Sequence, residues 1–312
     1  MVIMVTMDTE KKNKFFKNRQ LLSIFYLLVM NLRIVFGIIY VFFILFNYQK
    51  RIINMNFEKI VDLHCHILPG IDDGSPDLEH SLRLAQEAVN DGVTHILATP
   101  HHLDRNYTNH AQDVIRVADE FQAELDKREI KLTVFPSQEV HINGELLDKY
   151  DDLLGIDEDK RYMLLEFPHD GVPRYTANMI FNLKKMGTIP VIVHPERNHE
   201  IQNNLNMLYD FIKAGALAQV TATSYVGGFG SHVAEISHTL VEHNLVQIVA
   251  SDAHTLKGRK FVLSEALDQI AKDFGEQKAI QFEKNAENLI NGEYVVARDY
   301  TPIQKKKKFW FF

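Results

Sequence analysis

Seven short apolar runs, each about as long as one β-strand, recur along the chain from residue 59 onward, and most are separated by a helical pattern. They are Lys59–His64, Thr94–Thr99, Lys131–Phe135, Tyr162–Phe167, Ile189–His194, Leu217–Thr223 and Val246–Ser251. Continuous apolar strands are buried on both faces, which is the habit of parallel sheets, and parallel strands need crossovers between them. Leu78–Asn90, with Leu78, Leu82, Ala85 and Val89 on one face, and Ser231–His243 read as two of the crossover helices. Gly92, Gly187 and Gly215 stand where helices should end. The expectation is an α/β fold whose seven units curl into a (β/α) barrel of triose-phosphate-isomerase type with one strand missing.

The polar residues fall at the ends of these runs. In Asp62-Leu63-His64-Cys65-His66, alternation along a strand points Asp62, His64 and His66 one way and Cys65 the other. His101, Glu139, Glu166, His194, Asp252 and His254 each lie at, or just past, the end of a later run. A parallel barrel opens all strand C-termini onto one face, and that face hosts chemistry. A single strand-end His or Glu is ordinarily a solvated or capping residue. Recurrence from strand to strand argues for one shared site. Imidazole and carboxylate ligands without sulfur favour Mn²⁺, Zn²⁺ or Fe²⁺. Carboxylates can also bridge two ions, as in hydrolases whose metals sit roughly 3.5–4 Å apart. Arg197 and Arg259 follow on two of the same loops. An arginine above a metal site offers a fixed fork to phosphate oxygens, and the plainer role for each is a surface salt bridge.

Several classes are excluded by what is missing. One cysteine in 312 residues rules out a disulfide framework and suits a reducing compartment. A cysteine-dependent phosphatase needs Arg six positions after its Cys, and Ile71 stands there. Glu166 occupies the place where many metal amidohydrolases carry a modified lysine. Gly70, Gly74, Gly228 and Gly230 form no nucleotide-binding pattern. Residues 55–304 hold far more Asp and Glu than Lys and Arg, and such a surface repels nucleic acid.

The two ends differ in kind from the middle. Residues 1–54 carry a basic run (Lys11, Lys12, Lys14, Lys17, Arg19) and then a stretch from Leu21 to Phe46 that is long and apolar enough to span a bilayer. Arg33 and Asn31 near its centre make that costly. It reads as a membrane anchor or, if Met55 is the true start, as a misassigned leader. Residues 55–300, where strand and helix patterns alternate, are expected to form the barrel. Residues 301–312 are a basic-aromatic tail, Lys305 to Phe312 reading KKKKFWFF, which is either a solvated end or a contact with an anionic membrane surface.

In combination, Asp62–Gly74 (DLHCHILPGIDDG), Ala98–His102 (ATPHH), Gln138-Glu139, Leu165–Pro168 (LEFP), His194–Asn198 (HPERN) and Ser251–His254 (SDAH) resemble the polymerase-and-histidinol-phosphatase (PHP) family. More closely they resemble its bacterial capsule and exopolysaccharide branch, the manganese-dependent protein-tyrosine phosphatases. The resemblance implies a distorted seven-stranded barrel and three metals. His64, His66, Glu139 and Asp252 would hold the first, and Glu139, Glu166 and His194 the second. His101 and His254 would hold the third with Asp72 or Asp73, of which Asp73 is favoured. Arg197 and Arg259 would receive the phosphate. It further implies Mn²⁺ as cofactor, with Zn²⁺ or Fe²⁺ as alternatives, and direct hydrolysis without a phosphoenzyme. The implied partner is a phosphotyrosine protein, a membrane-attached bacterial tyrosine kinase controlling polysaccharide synthesis, which places the enzyme in the cytoplasm or at its membrane. Two other readings compete: a small-molecule phosphatase such as one for histidinol phosphate, and a non-catalytic kinase-binding module.

Overall fold

The computed structural model describes residues 60–304. The hydrophobic stretch at 21–46, the Met55 start and the lysine-aromatic segment all lie outside those residues. Among the described residues, no helix is long and apolar enough to cross a membrane.

Among the described residues there are nine strands: β1 (Ile60–Cys65), β2 (Val93–Ala98), β3 (His101–His102), β4 (Thr133–Pro136), β5 (Glu139–His141), β6 (Tyr162–Glu166), β7 (Ile189–Val193), β8 (Leu217–Thr221) and β9 (Ile248–Ala250). Every pairing is parallel, as continuous apolar strands demand. They form two ladders, β1-β2-β4 and β3-β5-β6-β7-β8-β9. This departs from a single ladder of seven strands, because a further short strand follows each of the second and third runs after a break. Pro100, which has no N–H to donate, separates β2 from β3, and Ser137-Gln138 separates β4 from β5. The backbone stays connected across the gap. Ser137 N donates to Ala98 O at 2.9 Å, and Glu139 N to Pro100 O at 3.1 Å.

At the far edge, the residues after β9 run beside β1. Asp252 N donates to His64 O (2.8 Å), His66 N donates to Ala253 O (2.9 Å), and Cys65 and Ala253 form an isolated parallel bridge. The ladder also slips between Asp62 and Cys65. Asp62 shares β1 with His64 but lies outside the ligand groups. Its buried carboxylate instead accepts from Ser251 N and Ser251 Oγ. Burial raises its pKa to about 6 against those hydrogen bonds.

Val61, Leu63, Leu164, Val193 and Ile248 pack with Ala286 and Leu289 of the helix Glu276–Ile290. The helix Leu78–Asn90 has the boundaries its periodicity indicates and is capped by Asp77, whose side chain accepts from His80 N. Its buried stripe runs through Ser81, Leu84, Ala85 and Ala88 as well as Leu82, a slight rotation from the expected face. Gly92, Gly187 and Gly215 all take positive φ at helix ends.

Candidate metal centre

The convergence of strand ends is a matter of backbone geometry first. His194, directly after β7, and Asp252, two residues past β9, adopt left-handed φ of 36° and 51°. Non-glycine residues hold such angles at a cost of roughly 1–3 kcal/mol each, and they do so mainly where the surrounding structure requires a side chain at that spot. Here both side chains turn into one cluster with His64 and His66.

Glu139 is the hub. Its Oε2 lies 3.0 Å from His101 Nδ1, 3.1 Å from His66 Nε2 and 3.3 Å from His64 Nε2, while its Oε1 lies 2.7 Å from His194 Nε2. Asp252 Oδ1 stands 3.5 Å from His64 Nε2 and 3.6 Å from His66 Nε2. On the outer side Asp73 Oδ1 is 3.4 Å from both His101 Nε2 and His254 Nε2. Glu166 Oε2 is 3.6 Å from His101 Nδ1, and its Oε1 is 4.0 Å from His194 Nε2. The structure therefore brings His64, His66, Asp73, His101, Glu139, Glu166, His194, Asp252 and His254 into one contiguous cage.

The donor atoms suit divalent ions better than one another. Glu139 Oε2, His101 Nδ1 and His254 Nε2 are buried and form no hydrogen bond. Three nitrogens surround Glu139 Oε2 at hydrogen-bond distance without the directions that would make a bond. Buried polar atoms are rarely left so. Unpartnered buried lone pairs of this kind are what a metal ligand offers. Five overlapping ligand groups can be drawn among the described residues: His66, Asp73, His101 and His254; His64, Glu139 and His194; His64, His66 and Asp252; His101, Glu139 and Glu166; and Asp104, His141 and Glu166.

Electrostatics point the same way. Burial opposes a charge on His64, but the carboxylates of Glu139 and Asp252 overcome it and raise its pKa to about 9. His101 is pushed up to about 12 against its burial, Glu139 being the largest favourable influence. The Glu139 carboxyl, despite complete burial, is held well below the usual carboxylate range by His64 and His101. Asp252 is likewise held down, by Arg197 and Arg259 against its burial. His254 goes the other way, lowered to about 4 by its burial and by the neighbouring His66. Cys65 is buried, and its thiol is pushed well above its ordinary pKa by that burial, so a thiolate nucleophile is excluded.

Both arginines contact the cage through Asp252. Arg197 Nη2 pairs with Asp252 Oδ2, and Arg259 Nη2 lies 2.8 Å from each Asp252 oxygen. They are not surface salt bridges, and each keeps a buried Nε without a hydrogen bond.

The family described as capsular polysaccharide synthesis, CpsB/CapC, matches residues 60–291. The chain belongs to the CpsB/CapC family. Among its relatives, the tyrosine-protein phosphatase YwqE of Bacillus subtilis is 42% identical over 256 residues, which is 81% of this chain and 100% of YwqE. CapC of Staphylococcus aureus is 35% identical over 81% of this chain and 99% of its own length. A crystal structure from work on YwqE and on CpsB of Streptococcus pneumoniae, described as unique metal-dependent tyrosine phosphatases, superposes with a TM-score of 0.76. It is 41% identical and covers 79% of this chain and 100% of that one. The resemblance to the capsule branch is thus borne out.

This CpsB/CapC chain also has supporting residues that reading strand ends did not find. Gln219 Oε1, on β8, holds His64 Nδ1 at 3.0 Å, and Asp72 Oδ2 holds His66 Nδ1 at 2.7 Å. Asp72 thus buttresses a histidine, while Asp73 is the one beside His101 and His254. His141 Nδ1 holds Glu166 Oε2 at 3.0 Å. The signal for His141 was present: it follows Glu139 by two positions, the spacing that shares a strand face.

Proposed function

We propose that this chain is a metal-dependent tyrosine-protein phosphatase, with Glu139 at the centre of a cage of imidazoles and carboxylates as the observation that carries the reading. Membership of the CpsB/CapC family and the names of its relatives support the same activity. The ligand sets are read as His64, His66, Glu139 and Asp252 for one ion, Glu139, Glu166 and His194 for a second, and Asp73, His101 and His254 for a third. Mn²⁺ is the proposed ion, in keeping with a mixed nitrogen and oxygen donor set without sulfur. The hydrogen bonds across the breaks after the second and third runs, together with the bridge from Cys65 to Ala253, support reading the two ladders as one distorted seven-stranded barrel.

Divalent ions held here supply Lewis-acid stabilisation to phosphoryl oxygens and make a water acidic enough to act near neutral pH. The protein's own residues do the rest. Arg197 and Arg259, anchored by Asp252, present their remaining N–H groups to the phosphate and stabilise charge developing in the transition state. Gln219 and Asp72 fix the ring orientations of His64 and His66. A tyrosine phenolate, with a reference pKa near ~10, leaves with less proton assistance than an alkoxide. The substrate is proposed to be a phosphotyrosine protein, with a membrane-attached bacterial tyrosine kinase of capsule synthesis as the specific partner.

The test is turnover of a phosphotyrosine peptide by the full chain. Chelation abolishes it, and Mn²⁺ restores it more fully than Zn²⁺ or Fe²⁺. Trapping of a covalent phosphoenzyme would exclude direct attack by water.

A further inference from the structure

The cage and its arginines account for binding a phosphate, but not for preferring the phosphate of a phenol. An aryl phosphate differs from an alkyl one by a flat apolar ring just beyond the ester oxygen. Discrimination therefore needs a flat apolar surface beside the anion site. Two partly exposed aromatic side chains stand there. Tyr107, on the loop after β3, lies nearly parallel to His101, with ring centroids 6.0 Å apart and 16° between the planes. Phe229, in the turn that follows the short helix Ala222–Tyr225, lies against Arg197, whose Cζ is 5.4 Å from the ring centroid.

Neither side chain belongs to the buried core, and both are partly exposed. Each touches one residue of the centre. His101 shares a ligand group with Asp73 and His254, and Arg197 pairs with Asp252. They come from loops after different strands, so the two surfaces reach the centre independently. A phosphate held by Arg197 would lie beside the guanidinium that the Phe229 ring faces.

We infer that Tyr107 and Phe229 receive the aryl ring of the substrate and set the preference for phosphotyrosine over phosphoserine. The inference rests on the phosphatase reading above. It makes these two residues part of substrate binding rather than of the chemistry, so their loss acts first on KM.

The test uses the full chain loaded with Mn²⁺, a phosphotyrosine peptide and the phosphoserine peptide of the same sequence. Tyr107→Leu and Phe229→Leu each raise KM for the phosphotyrosine peptide about three- to tenfold, the scale of one aromatic contact, with kcat little changed. The tyrosine-to-serine ratio of kcat/KM falls by the same factor. Tyr107→Phe keeps the ratio, and so does Phe181→Leu, which removes an exposed aromatic on the helix Thr176–Lys185. Calorimetry with a non-hydrolysable phosphonate analogue of the phosphotyrosine peptide shows the same loss of affinity, while metal content per chain is unchanged. An unchanged ratio with unchanged phosphonate binding in both leucine variants overturns the inference, as does a loss that follows lost metal. If the unaltered protein does not hydrolyse the phosphotyrosine peptide, the phosphatase reading has failed and this inference falls with it.

Discussion

At the scale of single residues, the groups that orient the cage matter as much as those that form it. Gln219 and Asp72 each bind the Nδ1 of one imidazole and so leave Nε2 to face Glu139 and Asp252. Losing such an orienting partner typically weakens metal affinity or activity about 10–100-fold. Gln219→Leu and Asp72→Asn are expected to do so, as measured by competition with a chelator of known affinity, and unaltered affinity in both would remove the orienting role. The charge on His64 gives a second prediction. Its pKa of about 9 lies above the ordinary histidine value, so in metal-free protein its imidazolium contributes stability that is complete below about pH 6.5 and is lost as pH rises through about 9. Thermal melts in EDTA should therefore fall in Tm between those pH values, whereas metal-loaded protein, with neutral imidazoles, should not follow. A metal-free Tm rising over that window contradicts the assignment. Much of this was readable beforehand, because a ligand that ends an apolar strand stands out against its neighbours. Asp62 shares a strand with His64, but its carboxylate is taken by Ser251, a pairing that alternation does not encode. Whether Asp72 or Asp73 meets His101 depends on the turn that carries both, and no periodicity encodes that.

The elements explain which parts of the fold could be seen in advance. Runs such as Tyr162–Glu166 and Ile189–Val193 are apolar along their whole length and need no partner to be recognised. β3 and β5 are only two and three residues long and consist largely of polar site residues, so they carry no apolar signal at all. Their pairing is imposed by neighbours. The turn between β1 and the first helix is equally specific. Gly70 N donates to Ser75 O, Ser75 N to His66 O, and Gly74 N to Asp72 Oδ1. A Cβ at Gly74 would fall 2.2 Å from His66 O and 2.5 Å from His66 Cβ. Gly74→Ala must push this turn outward, and Asp72 and Asp73 go with it. The expected outcome is loss of about one ion per chain and destabilisation of about 1–3 kcal/mol, the usual cost of forced overpacking. Metal analysis by mass spectrometry and a urea titration check this, and full metal content would show that the turn absorbs the extra methyl without moving the aspartates.

For the described body as a whole, the cage acts as a cross-link between distant parts of the chain. Cys65 and Ala253, 188 residues apart in sequence, are paired neighbours, and His64 and Asp252 meet beside them. Ligands from β1, β3, β5, β6 and the segments after β7 and β9 converge on the same few ångströms. The unfolded chain has no such site, so ions that bind only the folded form stabilise it by mass action, by about 2.7 kcal/mol when free metal is 100 times its Kd. For a domain of this size each kcal/mol raises Tm by roughly 2–4 °C. Calorimetric scans at neutral pH should then place the Mn²⁺-loaded protein roughly 5–10 °C above the same protein in excess EDTA, with the gap widening as free Mn²⁺ is raised. Glu139→Gln removes the carboxylate charge that all the inner imidazoles share, so its Tm should respond little to Mn²⁺. A Glu139→Gln variant that gains as much from Mn²⁺ as the unaltered protein would mean that the ions bind somewhere other than this cage.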